Sequence, residues 1–207
     1  MKKTLSIILA LLICFTTCFG GVITVFADST TYTIPQMEGK YKTQGRTEVK
    51  NDMLLVDYSA SGIQFKANCS GSVSVDMSAL RIDSTEDRGG LYFTVIVDGV
   101  VQSADKRIPE DNNEANWLSN STGYPFFMQT VGDYTFEIAK DLPEGEHTFE
   151  IYMQTQAYKA SFGIKSVTLN GILLDAPKDN NLLIEIVGDS IAACHGNIAT
   201  GGDSNER

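Results

Sequence analysis

Between Tyr32 and Leu174 the chain reads as a succession of β-strands, and no amphipathic helix interrupts them. Ser72-Val73-Ser74-Val75-Asp76-Met77 alternates polar and apolar residues with period two, the pattern of a strand buried on one face only. Ser59 to Ala67 alternates in the same way, with small or apolar residues on one side. Leu91 to Val97 is apolar and β-branched, and Asp98-Gly99 turns it into Val100-Val101. Asp-Gly and Asn-Gly suit two-residue hairpins because both central residues there need positive φ. Val167-Thr168-Leu169 is therefore expected to meet Ile172-Leu173-Leu174 across Asn170-Gly171. Leu142-Pro143-Glu144-Gly145 is expected to join Tyr134–Ile138 to His147–Gln154. Short strands separated by tight turns predict an all-β jelly-roll or β-sandwich domain rather than a βαβ fold.

The ends of the chain read differently. Lys2 and Lys3 form a basic start, Leu5 to Ile13 an apolar stretch, and Val25-Phe26-Ala27 a cleavage site before Asp28. Residues 1–27 are thus expected to be a bacterial secretory signal peptide. Thr16, Thr17, Gly20 and Gly21 break the apolar run and argue against a membrane anchor. The segment holds two Lys and no acid, so its loss makes the exported chain two charges more acidic than the −10 of the whole. An acidic secreted chain argues against nucleic acid and anionic membranes, which need clustered Lys and Arg. It fits polysaccharide substrates.

A polar linker, Pro177 to Asn181, closes the β-rich domain of residues 28–176. Then Leu182-Leu183-Ile184-Glu185-Ile186-Val187 runs abruptly into Gly188-Asp189-Ser190. A near-continuous apolar run is the signature of a buried parallel strand. A Ser on the tight turn after such a strand, just before a helix, stands exposed at the carboxyl edge of the sheet, where its hydroxyl can act as a nucleophile. Residues 182–207 are therefore expected to be the first strand-turn-helix of an α/β domain. A strand and one helix cannot bury a core, so the chain is expected to be truncated within that domain, with its exposed apolar strand loosely held.

These stretches resemble carbohydrate esterase family 2, whose members place a jelly roll before an SGNH/GDSL-type hydrolase domain. The likeness is carried by Gly45-Arg46-Thr47 and Asp57 to Phe65, by Tyr92 to Gly99 and Leu142 to Thr148, and by Ile184 to Ile191 with Gly196-Asn197. It spans nearly all of the chain after the signal segment. It implies removal of O-acetyl groups from plant cell-wall polysaccharide, as acetyl xylan esterases do, with no cofactor. It implies Ser190 as the nucleophile that forms the acyl-enzyme, with the Ser190 backbone N–H as one oxyanion donor. Gly188 would permit the sharp turn, and Asp189, adjacent to the nucleophile, would support the turn or cap the helix. In the family the base is a His near the end of the hydrolase domain, and the other oxyanion donors, a Gly and an Asn, also lie downstream. Those segments are not in this sequence, so the fragment is expected to be inactive alone. Ala192-Ala193 also replaces residues that are more polar in the family.

The remaining candidates are weaker. His147 lies in a turn of the sandwich, and His195, five residues after Ser190, is poorly placed to face it as a base. Ala104 to Thr130 is a polar segment holding Trp117, Tyr124, Phe126 and Phe127. Trp117 and Tyr124 can stack on sugar rings, or the aromatics can cover a sandwich edge. A binding or purely structural jelly roll is the alternative to the esterase. Cys69 and Cys194 fall in different domains and are not expected to pair. No paired-His spacing, Cys cluster or Asp-rich calcium loop predicts a metal.

Overall fold

The computed structural model describes residues 29–83, 90–103, 126–157 and 159–178. Among them run ten strands: β1 (Thr30–Thr33), β2 (Tyr41–Gln44), β3 (Thr47–Lys50), β4 (Met53–Val56), β5 (Gly62–Ile82), β6 (Leu91–Val97), β7 (Val100–Val101), β8 (Phe126–Met128), β9 (Gly132–Met153) and β10 (Ala160–Leu173). All strand pairings are antiparallel. The fold is an all-β jelly roll, as the period-two patterning predicts.

Its framework is three long strands rather than many short ones. β5 spans 21 residues, β9 22 and β10 14. One hydrogen-bonded path, β3-β4-β10-β5-β9-β6-β7, connects the sheet, yet the sheet doubles back on itself. The crease is visible in the register. β5 and β9 shift between Cys69 and Ser74, and β10 shifts against β5 between Leu169 and Asn170. Leu142 sits opposite Gly71, and Gly171 opposite Cys69, so the three strands bend at one level. Bulges of this kind let a strand pass from one layer of a sandwich into the other.

The two expected turns at this level are therefore not hairpins. Asn170-Gly171 lies inside β10 and Leu142–Gly145 inside β9. Gly171 has φ 151°, and a Cβ there would strike the Asn68 carbonyl oxygen and lie 2.7 Å from Cys69 Cα. Asn-Gly here serves a close backbone approach at a bulge, which local sequence cannot distinguish from a turn. Pro143, which has no N–H to donate, is tolerated for the same reason. Asp98-Gly99 does form the expected hairpin between β6 and β7, with φ 51° and 79°.

Face-to-face packing fixes the core. Phe93 on β6 lies 5.0 Å from the ring of Phe136 on β9 and 6.0 Å from that of Phe162 on β10, across the sandwich. Phe65 and Phe149, opposite each other on β5 and β9, stack at 4.9 Å. Val73, Val75 and Met77 point inward and are essentially inaccessible, while Ser74 and Asp76 between them are not buried. Each such large side chain adds roughly 1.5–3 kcal/mol of burial.

Candidate functional site

Ser190, Gly188, Asp189, Trp117 and Tyr124 lie outside the described residues, as do His195 and Cys194. The described part of the aromatic segment serves packing. Phe126 is buried 5.2 Å from Phe93, and Phe127 lies against Tyr92 at 4.7 Å.

The described chain does build a groove where it leaves the sandwich toward residue 179. β10 runs along β5 as far as Ala67, and the next places along that edge, Phe65 to Gly62, are taken by β2. The exiting chain has no slot left in the sheet and lifts over its outer face. It is tied there by the Leu174 N–H donating to the Lys66 carbonyl (2.9 Å) and the Ala176 N–H donating to the Gly39 carbonyl (3.1 Å). Lys40 Nζ pairs with Asp175 at 2.7 Å, and this bond holds the Asp175 carboxyl below its ordinary 3.8.

Between this strap and the sheet lies an open groove of about 660 Å³. Its floor follows from strand alternation. Ile63, Phe65 and Ala67 of β5 and His147 and Phe149 of β9 point into the core, so Gln64, Lys66, Glu146 and Thr148 point out, beside Lys42 of β2. Leu174, Asp175, Ala176, Pro177 and Lys178 form the wall. Lys66 and Glu146 make an ion pair. The lining offers ammonium, carboxylate, amide and hydroxyl groups, which can exchange hydrogen bonds with a polar ligand. Among the described residues no group of three His, Cys, Asp or Glu is placed to hold a metal ion. Reading the sequence alone missed this groove. Only the alternation within β5 and β9 signals that these side chains face outward, and nothing local signals that they share one face.

His147 sits behind the groove floor and is structural, as its position in the sequence predicts. Its Nδ1 lies 2.7 Å from Asp98 Oδ2 and its Nε2 2.9 Å from the Pro143 carbonyl. A carbonyl and a carboxylate can only accept, so filling both bonds requires N–H on both ring nitrogens, the imidazolium. The bond to Asp98, then that to Pro143, lift the His147 pKa above its ordinary 6.5 despite burial. Partial burial of Asp98 opposes its ionisation. The bonds from His147 and from the Thr148 N–H (2.8 Å), with the His147 charge, outweigh it and keep the carboxyl below its ordinary 3.8. The pair pins the β6–β7 turn to β9 beside the crease.

No family profile matches the chain, and no curated protein sequence matches it. Solved structures do. A family two carbohydrate esterase from Cellvibrio japonicus superposes with a TM-score of 0.58 at 17% identity, over 86% of this chain and 44% of that one. A family two carbohydrate esterase from Clostridium thermocellum, solved in complex with cellohexaose, gives 0.57 at 21% identity, over 76% of this chain and 39% of that one. An acetyl xylan esterase from the rumen bacterium Butyrivibrio proteoclasticus gives 0.54 at 12% identity, over 73% and 35%. The chain spans less than half the length of each of these proteins. At such identities the likeness is one of fold: the described domain shares its jelly-roll architecture with solved carbohydrate esterases of family two.

Proposed function

We propose that this chain is the N-terminal portion of a secreted carbohydrate acetyl esterase, acting on acetylated plant polysaccharide with Ser190 as nucleophile. One observation carries the reading. Gly188-Asp189-Ser190, at the end of an apolar run of sequence, follows a jelly roll of the architecture found in family two carbohydrate esterases. The Ser190 hydroxyl attacks the acetyl carbonyl, its proton passing to a base as the tetrahedral intermediate forms. The sugar hydroxyl leaves with a proton, and water then cleaves the acyl-enzyme to acetate. The Ser190 N–H, at the start of the expected helix, stabilises the oxyanion. Neither His of the chain is assigned as the base. His147 is committed to Asp98 and Pro143 inside the sandwich, and the resemblance puts the base further along than residue 207. Residues 1–207 alone are therefore not expected to hydrolyse esters.

The test is acetate release from acetylated xylan by the full-length protein carrying this sequence. Ser190→Ala should lower the rate by about 10⁶-fold. Unchanged hydrolysis in that variant overturns the assignment.

A second reading, a carbohydrate-binding jelly roll without hydrolysis, is favoured by the open polar groove, whose amide, hydroxyl, ammonium and carboxylate groups can bind sugar hydroxyls. Full-length protein that binds xylan and releases no acetate selects it.

A further inference from the structure

We propose that the outer face of β5 and β9 binds a neutral oligosaccharide, one pyranose ring stacked on Tyr152 and the sugar chain running from there into the groove beside the exiting strap. The inference rests on the carbohydrate reading above and adds the class of sugar and the place it sits.

Strand alternation lays the track. Phe149, Ile151 and Met153 of β9 point into the core. Thr148, Glu150 and Tyr152 therefore point out in one row, in steps of about 7 Å. On β5, Gln64 stands opposite Glu150 and Gly62 opposite Tyr152. Gln64 and Thr148 line the groove, so Tyr152 stands one step beyond its end on the same face.

Two contacts fix the Tyr152 ring. Its hydroxyl donates to Glu150 Oε2 at 2.6 Å, and Glu150 lies two residues back on the same face. A ring whose tip reaches back that far lies along the strand and does not stand up from it. Gly62 beside it brings no side chain, and a Cβ there would lie 2.9 Å from Tyr152 Cδ1. The ring is thus held against the sheet before any ligand arrives, yet stays partly exposed. The apolar C–H face of a pyranose packs on such a ring, and a ring already in place loses little freedom on binding.

The polar groups along the track suit a neutral sugar. Gln64 can donate and accept, as can Thr148, and the Glu150 carboxylate keeps acceptor sites beyond the one Tyr152 uses. Lys42, Lys66 and Lys178 are matched in number by Glu146, Asp175 and Glu150, so the track carries no formal net charge on a body of −10. An acidic sugar gains nothing from that local balance and is repelled at range. The groove volume of about 660 Å³ falls within the roughly 300–1,000 Å³ of small-ligand sites.

The experiment is an amide-resolved NMR titration of the full chain at low salt, with neutral xylotetraose and with tetragalacturonic acid as probes. Xylotetraose should shift the amides of Gln64, Thr148 and Tyr152. Tetragalacturonic acid should bind more weakly, and raising salt should narrow the gap, because exposed charges are screened. Tyr152→Ala should weaken xylotetraose binding about five-fold. Tyr152→Phe, which keeps the ring, should retain most of the affinity. Gln64→Ala should weaken it about three-fold, and as an outward change it reads the site even if Tyr152→Ala unfolds. Lys165→Gln, whose Nζ pairs with Asp133 at 2.6 Å away from the track, should bind as the parent does. An acidic probe that binds as well as the neutral one, shifts that map elsewhere, or no shift at all overturns the proposal. Xylan binding that Tyr152→Ala and Gln64→Ala leave untouched overturns this site and leaves the carbohydrate reading standing. Ser190→Ala should bind as the parent does, so the binding result and the esterase assignment fail separately.

Discussion

Replacing His147 by Ala tests the chain's clearest electrostatic device. The residue is 6% exposed, and its ring bridges two acceptors. Loss of the bond to the Pro143 carbonyl costs about 1 kcal/mol. Its ion pair with Asp98, whose side chain is 46% exposed, is screened and is worth about 1 kcal/mol. Lost packing, including the edge contact with Phe149, adds about 1 kcal/mol more. The total is about 3 kcal/mol, and part of it depends on pH. His147 has its pKa raised on folding, so its contribution is whole below pH 6.5 and is lost as pH climbs through the elevated folded value. Asp98 has its pKa lowered, so its contribution is whole above pH 3.8 and is lost as pH falls through the depressed value. Between those limits both charges are present. Urea unfolding of parent and variant should differ by about 3 kcal/mol near pH 5.5 and by about 2 kcal/mol near pH 9. Asp98→Asn keeps a residue that tolerates the positive φ of this turn and should also flatten the pH dependence. A parent–variant difference identical at both pH values would refute the imidazolium.

Three further outcomes follow from the packing. Phe93→Ala empties the point where β6 meets β9 and β10 and should cost about 3–5 kcal/mol by urea unfolding; a loss below 1 kcal/mol, on the order of a surface change, contradicts the two-layer core. Gly171→Ala should lower stability by about 2 kcal/mol or more, because its Cβ meets the Asn68 carbonyl; a neutral effect would restore the hairpin reading of Asn170-Gly171. Burial, and then the charge of Asp98, raise the Cys69 thiol above its ordinary 9.0. Peptide mapping should find Cys69 unmodified by thiol reagents until the protein unfolds, and rapid native labelling would contradict that burial.

The sequence made the β class legible because half-buried strands write their faces into period two, as Val73, Val75 and Met77 do. Asp98-Gly99 was legible because its geometry is local. The length of β5, β9 and β10 was not. Gly171 and Pro143 carry the chemistry of turns, and only the neighbouring strand's approach makes them bulges. The groove was hidden for a related reason. Lys66 and Thr148 become neighbours only when β5 pairs with β9, and the strap reaches them only because β2 occupies the next slot. The proposed nucleophile is the opposite case: Ser190 is announced by a local motif, outside the described residues.

The central claim is that Ser190 is an activated nucleophile. The most direct measurement is reaction of the full-length protein with a fluorophosphonate, followed by peptide mass spectrometry. The account predicts one stoichiometric adduct, on Ser190, that is lost on denaturation before labelling. An adduct on another residue, or no adduct on protein that releases acetate from xylan, would contradict it.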